Sequence, residues 1–100
     1  MIYGYCRISR KTQNIERQIR NIQESYPSAL IIQEAYTGTK VVGRKEFEKL
    51  VQKVKPGDTI VFDSVSRMSR NAAEGFELYK KWYDEEIELV YLKEPSINTA

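Results

Sequence analysis

A three-layer α/β/α fold around a central, mainly parallel four-stranded sheet, with elements in the order βαβαβαβ, is the architecture this sequence predicts. Three observations carry that reading. Short runs of β-branched and other apolar residues alternate with segments whose apolar residues recur at helical spacing. Turn and cap residues fall between those segments. The chain has 100 residues, 41% apolar and 30% charged, which is enough for one core and one domain. Parallel strands need crossover helices of this length, and right-handed crossovers place helices on both faces of the sheet.

Ile2 to Cys6 forms the first strand. Ile15, Ile19, Ile22 and Tyr26, at spacings of four, three and four, share one face of the first helix. Ala29 to Ile32, continuing toward Tyr36, is the second strand, and Phe47, Leu50, Val51 and Val54 mark the apolar face of the second helix. Pro56-Gly57-Asp58 ends that helix in a turn, with Asp58 read as structural support for it. Thr59 to Phe62 is the third strand. Asn71 with Glu74 makes a capping box that opens a third helix through Ala72, Phe76, Tyr79 and Tyr83. Leu78 and Trp82 lie on its opposite face, so either one apolar face meets a second subunit or the helix is wedged within the fold. Ile87 to Leu92 supplies the fourth strand.

The composition removes whole classes of chemistry. With no histidine and one cysteine there is no Ser-His-Asp or Cys-His pair, no imidazole base and no His/Cys zinc site. No window approaches the roughly 20 apolar residues of a membrane span, and the amino terminus does not read as a signal peptide. A cytoplasmic location with no membrane partner is expected, in keeping with the single free thiol. The net charge of +2 conceals an asymmetry: residues 1–70 carry 13 basic against 7 acidic side chains, residues 71–100 carry 3 against 7. A basic amino-terminal part fits an anionic partner.

Open parallel sheets bind ligands at the carboxyl ends of their strands. The loops expected there run from Arg7 to Lys11, from Thr37 to Arg44 and from Ser64 to Arg70. One edge therefore gathers Arg7, Arg10, Lys11, Lys40, Arg44, Arg67 and Arg70, with Ser9, Ser66 and Ser69 among them and Asp63 as the one nearby acid. Helix amino termini aim free N–H groups at the same edge, so the expected ligand is a phosphate. Arginine predominates, which favours bidentate recognition.

Two familiar phosphate motifs fail on inspection. Gly38 to Lys45 has P-loop glycine spacing, but Arg44 stands where the motif needs lysine and Lys45 where it needs the magnesium-binding hydroxyl. A phosphoacceptor receiver domain would use Asp63, but the acidic metal ligands it needs after the first strand are replaced by Arg7 and Ser9. The same absence of clustered carboxylates disfavours a two-metal nuclease.

Tyr5-Cys6-Arg7-Ile8-Ser9-Arg10-Lys11-Thr12-Gln13 resembles the Tyr-x-Arg-x-Ser-x-x-x-Gln signature of the serine recombinases, the resolvase and invertase family. Gln18 in the following helix, Arg44 before the second helix, Gly57-Asp58 before the third strand and Arg67-Met68-Ser69-Arg70, similar to the family's Arg-Leu-x-Arg, fall in the same order. The resemblance implies a resolvase-type catalytic domain in which Ser9 attacks a DNA phosphodiester, leaving a 5′-phosphoserine and a free 3′-hydroxyl without metal or cofactor. Arg7, Arg44, Arg67 and Arg70 would surround the phosphate. Strand exchange and religation would follow within a dimer or tetramer on double-stranded DNA. Members of the family continue into a long dimerisation helix and a DNA-binding domain, so residues 1–100 are expected to be a truncated catalytic domain.

Elementary chemistry is compatible with that assignment, because fixed guanidiniums can stabilise the charge of phosphoryl transfer, and a covalent intermediate conserves the phosphodiester energy for religation. A serine hydroxyl still needs a base, and the family's Asp immediately before the arginine matched by Arg67 is Ser66 here. Gln13 and Gln18 read either as solvated helix residues or as groups that order the site. Arg10 and Lys11 read as DNA-backbone contacts or solvated charges. An inactive DNA-binding or assembly module of the same fold, and less favoured a receiver-like domain, stand as alternatives.

Overall fold

A computed structural model describes residues 1–8, 15–35, 45–69 and 72–99. Its elements are β1 (Ile2–Ile8), α1 (Ile15–Ser25), β2 (Leu30–Ala35), α2 (Lys45–Lys53), β3 (Thr59–Phe62), α3 (Val65–Met68), α4 (Ala72–Asp84), β4 (Glu88–Tyr91) and a 3-10 turn at Pro95–Ile97. All four strands pair in parallel in the order β2-β1-β3-β4, so the predicted four-stranded α/β/α architecture is observed.

Strand order and helix placement follow from one geometric rule. The chain moves from β1 to β2 in one direction, then crosses back over β1 to β3 and on to β4. Right-handed crossovers put helices on opposite faces when the direction reverses. Accordingly Ile15, Ile19 and Ile22 of α1 pack with Cys6, Val61 and Val90, whereas Phe47 and Leu50 of α2 and Trp82 of α4 pack with Tyr3, Tyr5, Phe62 and Leu89. The alternation of β1 side chains between these two layers is the period of two expected of a strand covered on both sides. The reversal occurs at β1, which makes the carboxyl ends of β1 and β3 the switch point of the sheet.

Gly4 sets how closely α1 approaches. A Cβ there would lie 2.9 Å from Ile22 Cγ2 and 2.9 Å from Ile31 Cδ1. Gly4→Ala is expected to destabilise the domain by about 1–3 kcal/mol through overpacking, read as a lower urea midpoint with an unchanged slope.

Three features differ from the sequence reading. β1 continues two residues beyond Cys6, to Ile8. The loop expected after the third strand contains the one-turn helix α3. On α4 the buried side chain is Trp82, edge-on to Phe47 at 5.8 Å and stacked on Phe62 at 6.5 Å, while Phe76 and Tyr83 are 69% and 64% exposed. Trp82 wins the inward position because it presents the largest apolar surface toward the aromatic cluster beneath it.

Candidate active site at the strand ends

The amino-terminal wall of the site begins where β1 outruns β3. Pairing with β3 stops at Tyr5↔Phe62, while pairing with β2 continues to Ile8↔Ala35. At Arg7 the backbone N–H donates to Gln18 Oε1 at 3.0 Å, and the carbonyl accepts from Gln18 Nε2 at 2.8 Å. One side-chain amide thus reproduces both bonds of a missing ladder partner, which a buried strand end requires. Gln18 is only 3% exposed and is therefore not a solvated helix residue. It fixes the backbone two positions before Ser9 in the chain.

From that fixed point the Arg7 side chain reaches α3, where Nη2 donates to the Ser66 carbonyl at 2.6 Å. Arg67, the next residue of α3, is half-buried. The Cys6 thiol, buried between these strand ends, is pushed up to about 12 by its burial, with the Asp63 charge adding to the rise and the Arg67 charge opposing it. Cys6 is thus an un-ionised core thiol at neutral pH. Arg7, at the end of β1, is thus bonded to the backbone of the helical turn after β3 that carries Arg67.

Asp63 directly follows β3, on the α1 side. It is 2% exposed, accepts from Asn21 Nδ2 at 3.0 Å and pairs with Lys93 Nζ at 3.3 Å. So enclosed and neutralised, it is not placed to accept a phosphoryl group from solution, which removes the feature that suggested a receiver domain. Neither Asn21 nor Lys93 carried a sequence signal, since both become partners of Asp63 only through folding.

The expectation of free helix N–H groups at this edge is corrected for α2 and α3. Glu34 on β2 accepts the N–H groups of Glu46 at 3.2 Å and Phe47 at 3.1 Å, and also the Tyr5 hydroxyl at 2.9 Å. Glu94 accepts the N–H of Val65 at 2.9 Å. The residues just before α2, Val41-Val42-Gly43-Arg44, include no side chain suited to cap it, so the cap comes from another strand. Protein carboxylates already occupy the dipole ends that a phosphate would have used.

The remaining candidates divide cleanly. Ser9, Arg10, Lys11, Gln13, Arg44 and Arg70 lie outside the described residues, as do Lys40 and Asn71. Asp58 sits at the start of β3, at the opposite edge from Arg7. Its Oδ2 accepts the Lys55 N–H at 3.0 Å and its Oδ1 lies 3.3 Å from the amino-terminal ammonium. The Ser66 side chain is exposed, its hydroxyl 2.8 Å from that of Ser64. Among the described residues no group of acidic, histidine or cysteine side chains could hold a metal ion. Beside α3 lies a mostly apolar groove of about 740 Å³, walled by Met68, Gly75, Phe76, Tyr79 and Ile97.

A parallel sheet that reverses at its first strand, with Arg7 at the end of β1 bonded to the helical turn that follows β3, defines an open α/β domain with a basic edge at its switch point. Residues 2–100 match the family model described as Resolvase, N terminal domain, and the chain belongs to that family. The Transposon Tn501 resolvase of Pseudomonas aeruginosa is 32% identical over 97 residues, covering 97% of this chain and 50% of the relative. A resolvase of Clostridium perfringens (strain 13 / Type A) is 26% identical over 101 residues, covering 100% of this chain and 53% of the relative. The chain thus spans about half the length of these curated relatives. In fold it is similar to a resolvase family site-specific recombinase from Streptococcus pneumoniae (TM-score 0.79, 22% identity, 98% of this chain and 74% of that one). It is also similar to the N-terminal catalytic domain of TP901-1 integrase (TM-score 0.72, 19% identity, 98% and 80% covered). Among the described residues no helix is long and apolar enough to cross a membrane.

Proposed function

We propose that this chain is the amino-terminal part of the catalytic domain of a site-specific DNA recombinase. Ser9 Oγ attacks a DNA phosphorus, the new Oγ–P bond replaces the P–O3′ bond, and the proton lost by the serine hydroxyl is balanced by one delivered to the departing 3′-oxygen, which leaves as a hydroxyl. Religation is the same displacement in reverse, on a new strand. The observation that carries the reading is the bond from Arg7 to the Ser66 carbonyl, which ties the strand end leading to Ser9 to the helical turn that bears Arg67 at the switch point. Arg44 and Arg70 are assigned to the same phosphate by their places in the family signature, and Gln18 holds the strand that delivers the nucleophile. Gln13, Arg10 and Lys11 contact the DNA backbone around the scissile phosphate. Planar guanidiniums suit this role because the charge of the transition state is spread over several phosphate oxygens.

The substrate is double-stranded DNA, and the active assembly is a dimer or tetramer in which the exposed Phe76 and Tyr83 of α4 supply an apolar contact face. A second reading, an inactive DNA-binding or assembly module, is favoured by one observation: Ser66 stands where the family carries a carboxylate. Cleavage distinguishes the two. Full-length protein, incubated in EDTA with double-stranded DNA from the regions flanking its gene and stopped with detergent, is expected to yield breaks with protein on the 5′ ends. The 3′ ends should remain extendable by a polymerase. Protein on the 3′ ends, or DNA binding with no breaks, overturns the recombinase reading.

A further inference from the structure

Resting on the recombinase reading, we infer that Glu94 is a positioning residue for Arg67: its carboxylate takes the first N–H of the helical turn that carries this guanidinium and fixes the turn against the sheet. The inference starts from the size of α3. Four residues make a single turn, and one turn has too few internal bonds to hold itself. Its own N-cap residue does not help, because the Ser64 hydroxyl forms no cap bond and faces that of Ser66 instead.

Two polar contacts from outside supply what α3 lacks. Arg7 Nη2 donates to the Ser66 carbonyl, and Val65 N–H donates to Glu94 Oε1 at 2.9 Å. Beneath them, buried Met68 anchors the turn, its sulfur accepting from the Tyr91 hydroxyl at 3.1 Å. Glu94 is well placed to act as a brace because its own backbone is fixed. Its N–H donates to the Tyr91 carbonyl at 3.2 Å, and its carbonyl accepts from Ile97 at 3.1 Å. The preceding Lys93 is tied to Asp63 by backbone and side chain alike. The end of β4 is thus strapped to the junction between β3 and α3. A carboxylate at the first turn also opposes the helix dipole, so the bond is charge-assisted. Without it, Arg67 would sample more positions as a DNA phosphate draws it outward, and fewer of them would match the transition state.

The test uses full-length protein carrying Glu94→Ala or Glu94→Gln, with Gly4→Ala as a control that lowers stability from the α1 face. All are measured at a temperature where each is folded. Glu94→Ala is expected to speed amide exchange of Val65 by at least about tenfold, to shift or broaden the Arg67 Nε–H resonance, and to slow DNA cleavage about tenfold. Glu94→Gln keeps an acceptor for Val65 and should stay within about threefold of the unsubstituted protein. Gly4→Ala, which acts on α1 and so on Gln18, should leave the Val65 exchange and the Arg67 resonance unchanged. An unaltered Val65 and Arg67 in Glu94→Ala overturns the inference, as does full-rate cleavage by that variant or a loss in Glu94→Gln as deep as in Glu94→Ala. If the Val65 and Arg67 signals move as expected but no variant, nor the unsubstituted protein, cleaves DNA, positioning by Glu94 stands and the recombinase reading falls.

Discussion

Arg67→Ala is expected to slow DNA cleavage by about 10²–10³-fold while leaving the domain folded, the loss typical of removing one fixed donor from developing charge. The physical basis is the placement of Arg67 rather than its charge alone. It rides on a turn held at one end by Glu94 and tied through the Ser66 carbonyl to Arg7. Since Glu34 and Glu94 occupy the N–H groups at the starts of α2 and α3, those helix ends cannot substitute for a lost guanidinium. Arg67→Lys should recover little, because a point charge on a flexible stem does not reproduce a planar fork. Single-turnover cleavage rates, set beside thermal melts of the same proteins, measure this directly. A rate within threefold of the unsubstituted protein would remove Arg67 from the chemistry.

Trp82→Ala carries the largest expected loss of stability, about 3–5 kcal/mol from cavity formation. A domain of this size has only about 5–15 kcal/mol in total, so partial unfolding near 37 °C follows. Trp82 is fully buried and packs against both Phe47 of α2 and Phe62 of β3, which makes it the most deeply buried side chain joining α4 to the sheet. Its indole N–H has no hydrogen-bond partner among the described residues. Trp82→Phe keeps the aromatic contact and removes that buried donor, and should cost less than about 1.5 kcal/mol. Urea denaturation of the two variants separates the effects. Equal losses would show that the indole makes a bond the surrounding aromatic rings do not provide.

The layered fold was legible in the sequence because its signals are local. Ile15, Ile19 and Ile22 repeat at helical spacing, and Thr59 to Phe62 is bounded by a Pro-Gly turn whose Gly57 adopts φ +94°. What escaped was long-range. α3 has no apolar period to announce it, and its brace comes from Glu94, 29 residues beyond Val65. The extra length of β1 rests on its ladder with β2 on one edge and on a side-chain amide from α1 on the other. On α4 both faces are aromatic, so periodicity could not decide between Phe76 and Trp82 until the partners on α2 and β3 were placed.

The site was legible to a similar degree. Arg7 lies at the end of β1 and bonds the turn that carries Arg67, at the edge read from the strand ends, and Gln18 holds the Arg7 backbone. The helix ends were not legible, because Glu34 on β2 and Glu94 beyond β4 look like any other surface acid in sequence. Asp63 was equally ambiguous, since only the fold brings Asn21 and Lys93 to its carboxylate.

The central claim is that Ser9 is the nucleophile, and mapping the covalent link tests it most directly. Full-length protein is trapped on DNA in EDTA, digested with nuclease and protease, and the nucleotide-bearing peptide is sequenced by mass spectrometry. The account predicts a phosphonucleotide on Ser9, with no adduct from the Ser9→Ala protein. A link on any other residue, or an adduct that survives Ser9→Ala, would contradict it.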